Sequence, residues 1–74
     1  MTKPVTARER EILELISEGF STREIAGRLF VSEETIKSHR RHLFSKLSAK
    51  NSPHLIQKAI ASGMLNAYNL TPGN

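Results

Sequence analysis

Residues 21–47 read STREIAGRLFVSEETIKSHRRHLFSKL. Two serines in this stretch, Ser21 and Ser32, each stand just before a run whose apolar residues recur three and four positions apart. Ser21 precedes Glu24 at capping-box spacing: the hydroxyl accepts from an orphan backbone N–H, and the carboxylate accepts from the cap's own N–H. Ser32 has Thr35 at that spacing, while Glu33 and Glu34 supply the negative charge that a helix start favours. Two helices are therefore predicted, over 22–29 and 33–48, joined only by Phe30-Val31-Ser32. So short a joint brings consecutive helices together at a steep angle, as in a helix-turn-helix. The second helix is too short to stand alone in water, because nucleation is costly. Its apolar side, Ile25, Ala26 and Leu29, must be held by neighbours.

The flanks supply those neighbours. Thr6 and Glu9 form another capping box, which starts a helix over 7–18 that stops at Gly19. That helix presents Ile12, Leu15 and Ile16, with Leu13 beside them. Ser52 as cap and Pro53 as first helical residue start a fourth helix over 53–62, stopped by Gly63. It presents Leu55, Ile56, Ala59 and Ile60. Val31 and Phe20 are expected to plug the junctions. No segment alternates with a period of two. An all-α domain of four helices is predicted over 5–65, with flexible tails at 1–4 and 66–74, where Thr71-Pro72-Gly73 reads as a turn or loose end.

Composition narrows the function. Seventy-four residues make one small domain with a thin core. No cysteine is present, so disulfides and thiolate metal sites are excluded. His39, His42 and His54 have no aspartate or cysteine to support them, and neither a metal nor a cofactor is expected. No apolar run follows the first residues as in a signal peptide, and no stretch is apolar enough to span a bilayer, so a soluble protein is expected. Eleven lysines and arginines against seven glutamates give a formal charge of +4. The placement is more informative: Lys37, Arg40, Arg41, Lys46, Lys50 and Lys58 follow one another with no acid between them. Such a run suits a polyanion.

The third helix decides what kind of polyanion. With Ile36 at zero and about 100° per residue, Leu43 and Leu47 fall within about 20° of it and form the buried stripe. Glu34, Lys37, Ser38, Arg41 and Ser45 fall between about 100° and 200°, on the opposite side. Small residues beside long basic ones suit entry into a groove: Ser38 leaves room, and Lys37 and Arg41 reach guanine acceptors. Glu34 either serves the helix start or accepts from a cytosine amino group. Thr35, Ser32 and the free N–H groups of the helix start are placed for phosphate, as are Lys46 and Lys50 further along. Against this stands the ordinary reading of any charged outer face as solvation. The conjunction with the short second helix, the tight joint and the caps favours groove entry. Arg40 lies close to the core edge and is expected to snorkel. His39 is expected to be a packed neutral histidine with a local hydrogen bond, and Phe44 to pack at the rim against the fourth helix.

The segments VTARERE-IL-LI-EG (5–19), STREIAGRLFVSEETIKSH (21–39) and KL (46–47) resemble the LuxR-type helix-turn-helix domain, the DNA-binding output domain of quorum-sensing and many two-component regulators. The resemblance implies four helices, the third reading DNA bases and the fourth forming a dimer surface. It implies sequence-specific binding to double-stranded DNA, with a bacterial cytoplasmic location. Carried over position by position, it puts base-edge contacts at Lys37, Ser38 and Arg41, and backbone contacts at Ser21, Thr22, Thr35 and Lys46. His39 matches a frequent family histidine with a mainly structural part. The family's arginine after Lys50-Asn51 is replaced by Ser52, with His54 as a candidate substitute, and Ala49 stands for a larger aliphatic residue. Both departures bear on dimer geometry rather than base reading.

Leu55, Ile56, Ala59, Ile60 and Met64 offer more apolar surface than one small core needs, and a homodimer through the fourth helix is expected. Either a short standalone regulator or an excised output domain fits the length. A standalone chain would be controlled by its amount or by a partner, such as RNA polymerase or another regulator. The alternative is an antagonist that pairs with a larger regulator through the fourth helix and binds no specific DNA itself. A membrane-surface helix fits less well, because no helix joins a large apolar face to a dense basic one. An enzyme fits least: no nucleophile, base and orienting group are arranged together, and the glycines form no phosphate cradle.

Overall fold

The computed structural model describes residues 4–66; of the expected tails at 1–4 and 66–74, all but Pro4 and Asn66, and with them Thr71-Pro72-Gly73, lie outside the described residues. Four helices follow one another: α1 (Ala7–Ser17), α2 (Thr22–Leu29), α3 (Glu33–Leu47) and α4 (Ser52–Ala61). No strand occurs among the described residues.

The helix starts follow from side-chain chemistry. Thr6 Oγ1 accepts from the Glu9 backbone N–H at 3.1 Å, and the Thr6 N–H donates to Glu9 Oε1 at 3.0 Å. Ser21 and Glu24 repeat the reciprocal pair at 3.1 and 2.9 Å. Ser32 Oγ accepts from the Thr35 N–H at 3.1 Å and lies 2.9 Å from the Thr35 hydroxyl. At α4 the cap differs from the expected Ser52: Asn51 Oδ1 accepts from the His54 N–H at 2.9 Å, and the helix begins one residue earlier. An asparagine amide oxygen reaches the N–H three residues on as well as a serine hydroxyl does, so Asn51 takes the role and leaves the Ser52 hydroxyl free for another partner.

All four helices end in one pattern. An N–H two or three residues past the last helical one bonds back, across a left-handed residue, to a carbonyl of the last turn. Phe20 donates to Leu15, Val31 to Ala26, Ala49 to Phe44 and Met64 to Ala59, at 2.8–3.1 Å. Gly19 and Gly63 adopt the required positive φ, 94° and 82°. At the other two ends the left-handed residues are Phe30 and Ser48, with φ of 57° and 54°. Neither is signalled in the sequence, because a side chain there is disfavoured.

Helix α3 is the central element and packs against α1, α2 and α4. Ile12, Leu13, Ile25, Ile36, Leu43 and Leu55 are fully buried, and Ala26, Ala59 and Leu65 complete the core. Val5, Phe20, Val31, Phe44 and Leu47 pack around it half-buried. Each fully buried Leu or Ile contributes about 2–5 kcal/mol when judged by truncation to alanine. That is a large share of the roughly 5–15 kcal/mol that a domain has in total.

Candidate nucleic-acid interface

The orientation of α3 is set by its apolar stripe. Ile36 and Leu43 have no exposure and Leu47 is half-buried, so the opposite side faces outward. Glu34, Lys37, Arg41 and Ser45 are exposed and Ser38 is half-buried between them. Lys37 Nζ lies 3.5 Å from Glu34 Oε1, and both side chains are more than half exposed. A pair this exposed holds its partners by about 0–1 kcal/mol and does not tie Lys37 down. The Arg41 guanidinium makes no hydrogen bond or ion pair among the described residues and extends from the same face.

The starts of α2 and α3 add polar groups. Ser21, Ser32 and Thr35 are exposed and Thr22 is half-buried. The serine hydroxyls each occupy one orphan donor of the first turn, and the other free N–H groups remain as anion-facing donors. Glu24 is held below its ordinary value of 4.5 by hydrogen bonds from the Ser21 backbone and side chain. It is therefore committed to the cap as a carboxylate. Lys50 is exposed, and its backbone N–H donates to His54 Nδ1 at 3.0 Å.

Lys46 differs from the other cations. Expected at a phosphate, it points into the protein, with Nζ 2.6 Å from Glu9 Oε1 and 3.1 Å from the Pro4 carbonyl oxygen. Its side chain is 15 % exposed and that of Glu9 is 3 % exposed. His42 Nδ1 lies 3.7 Å from Glu9 Oε2. Glu9 thus does more than cap α1. Burial pushes its carboxyl up, but the hydrogen bonds from Lys46 and Thr6 and the Lys46 charge outweigh burial and hold it below 4.5. The signal was present in the sequence: Glu9 stands three residues before Ile12 and four before Leu13, on the face of α1 that turns inward.

Two more contacts sit beside the interface. Arg40 is half-buried, as a snorkelling residue is, and its Nη2 donates to Ser52 Oγ at 3.3 Å, linking α3 to α4. Ser52, the departure from the family pattern, thus receives a cation from α3. The Arg28 guanidinium stacks 4.0 Å from the Phe20 ring centroid and closes the α1–α2 joint. His39 is half-buried, and its Nδ1 is buried with no hydrogen-bond partner among the described residues, in place of the expected local bond.

On α4, two of the five residues expected at a dimer surface belong to the core: Leu55 and Ala59 have no exposure. They share the inward face of α4, and Ile56 and Ile60, each one position on, are turned about 100° from it. Ile56, Ile60 and Met64 keep partial exposure.

A four-helix core in which a short second helix is joined tightly to an outward-facing basic third one is a helix-turn-helix domain. Residues 3–59 match the family model of bacterial regulatory proteins, luxR family, and the chain belongs to that family. The family is one of DNA-binding transcription regulators and is not enzymatic. The chain is similar to the oxygen regulatory protein NreC of Staphylococcus aureus (strain JH9), at 41 % identity over 63 residues. That match covers 85 % of this chain and 29 % of that protein. Among solved structures it resembles the response regulator ChrA of a heme-sensing two component system, with a TM-score of 0.83 and 37 % identity over 88 % of this chain and 32 % of that one. It also resembles VqmA of Vibrio cholera, from a ligand–DNA complex, with a TM-score of 0.76 and 33 % identity over 86 % of this chain and 28 % of that one. The chain thus spans less than a third of the length of NreC. Among the described residues no helix is long and apolar enough to cross a membrane.

Proposed function

We propose that this chain reads double-stranded DNA sequence-specifically, with α3 in the major groove and α2 crossing above it. The observation that carries the reading is the division of α3: Ile36 and Leu43 sealed inward, Lys37 and Arg41 outward and unhindered. Arg41 forks onto a guanine, Lys37 donates to a neighbouring base acceptor, and Glu34 accepts from a cytosine amino group. Half-buried Ser38 lets the backbone come close. Ser21, Thr22, Ser32, Thr35 and Lys50 take phosphates through hydroxyls, helix-start N–H groups and charge. Lys46 acts differently: bound to Glu9 and Pro4, it sets the position of α3 on α1.

A homodimer forms through the rim of α4, with Ile56, Ile60 and Met64 meeting their copies. Two copies then read paired half-sites, and the output is transcription regulation in a bacterial cytoplasm. RNA polymerase or another regulator is the further partner. The DNA complex of VqmA supports the DNA reading. Selection of bound duplexes from a random pool tests it. Enrichment of one motif in two related copies is expected. A pool that stays random while the chain still captures a larger regulator would replace this reading with the antagonist one.

A further inference from the structure

We propose that Glu9, His39 and His42 form a binding site for one divalent transition-metal ion of the zinc class, which fastens α3 to the first turn of α1. One ligand atom from each of the three lies within 4.8 Å of the others. His39 and His42 stand three apart on α3, so their rings share a face, and Glu9 approaches from α1. Two imidazoles and one carboxylate with an open fourth position is a donor set that zinc accepts.

The bonding capacity of the three groups fits. Glu9 Oε1 is already occupied, by the Thr6 N–H at 3.0 Å and Lys46 Nζ at 2.6 Å. Glu9 Oε2 accepts no hydrogen bond among the described residues and faces His42 Nδ1 at 3.7 Å. It is the oxygen left for a cation, and the donors on Oε1 fix the carboxylate as outer partners of a metal ligand commonly do. His39 has a buried nitrogen, Nδ1, that no group in the described residues satisfies. Buried nitrogens are nearly always paired, so this imidazole has unused capacity beside the site. Tetrahedral zinc with bonds of about 2.0–2.1 Å needs ligand atoms about 3.4 Å apart. The widest separation must therefore close by about 1.4 Å. His42, 59 % exposed, has room to adjust toward the other two ligands. Lys46 opposes the ion through its charge while leaving Oε2 open, and so limits affinity.

The test uses the untagged chain, with zinc sulfate in calorimetric titration and thermal melting, and cobalt(II) as a spectroscopic stand-in. Expected are saturable one-to-one binding, a zinc-dependent rise in Tm that magnesium does not reproduce, and a tetrahedral cobalt absorption band. His42→Ala removes an exposed ligand and leaves the core intact; it should weaken zinc binding by at least about tenfold. Lys46→Gln should tighten binding, whereas a merely structural Lys46 would leave it unchanged or weaker. His54→Ala should leave zinc affinity unchanged. No saturable binding to the parent chain, or an unaltered affinity in His42→Ala, overturns the site. DNA affinity is not a readout here, so failure of the metal site and failure of the DNA reading are separate results.

Discussion

Lys46 Nζ meets Glu9 Oε1 at 2.6 Å, across the junction of α3 and the start of α1, where the carboxylate is almost fully buried. Burial opposes Glu9 ionisation, and the Lys46 and Thr6 hydrogen bonds with the Lys46 charge more than offset it, so the folded chain holds the carboxyl below 4.5. The sign follows: a depressed acid contributes stability that is complete above its unfolded value and is lost as pH falls through the folded one. Stability should therefore decline as pH falls below the ordinary value of 4.5, and Glu9→Gln should flatten that decline. Lys46→Ala should cost about 2–4 kcal/mol, because it strands a buried carboxylate. Urea melts at several pH values measure both. A Lys46→Ala chain as stable as the parent would show that the contact contributes nothing.

Exposed Arg41 makes no hydrogen bond or ion pair among the described residues, so its removal should be visible chiefly on DNA. Arg41→Ala is expected to cost about 1–3 kcal/mol on the selected duplex, to relax preference at one base pair and to leave Tm unchanged. Binding titrations at several salt concentrations, on selected and random duplexes, separate base reading from charge. Equal losses on both duplexes would demote Arg41 to a phosphate contact. Lys50→Ala should weaken both about equally and reduce the salt slope by about one.

The sequence disclosed what is local and concealed what is assembled. Caps and apolar spacing are short-range, so α2 is found where it was expected, and the Thr6, Ser21 and Ser32 caps hold their predicted partners. The outward side of α3 was legible because one helical period fixes it. At α4 two adjacent polar residues compete for one cap, and Asn51 prevails over Ser52. Glu9 was readable as a cap on the inward face of α1, but Lys46 was not readable as its partner, since the pair lies 37 positions apart in the chain. On α4, periodicity alone does not separate Leu55 and Ala59, in the core, from Ile56 and Ile60 at its edge, because only the position of α3 decides which side is covered.

Ser48 ends α3 in the left-handed region, with φ 54° and ψ 43°. A side chain there costs about 1–2 kcal/mol. Glycine removes that cost and adds about 0.5–1 kcal/mol of unfolded-state entropy. Ser48→Gly should therefore stabilise by about 0.5–1 kcal/mol, the difference between the two. Ser48→Val should destabilise, since branching at Cβ worsens the same clash. Thermal melts of the two variants settle the sign, and a lower Tm for Ser48→Gly would mean that the Ser48 side chain has a role no contact reveals.

Leu55 and Ile60 lie on the same helix yet should fail differently. Leu55 has no exposure, and Leu55→Ala leaves a cavity among Ile12, Ile36 and the rest of the core, costing about 2–5 kcal/mol. A domain this small has little to spare, so that variant should be largely unfolded at physiological temperature. Ile60 is half-buried at the rim, where a polar replacement costs less and stays wet. Ile60→Glu should keep the helical circular dichroism and lose self-association, because two such rims would bring like charges together. Sedimentation with and without the selected duplex is the measurement. Unchanged association in Ile60→Glu would move the dimer contact off α4. A parent chain that stays monomeric on DNA would remove the dimer altogether, leaving each domain to read its half-site alone.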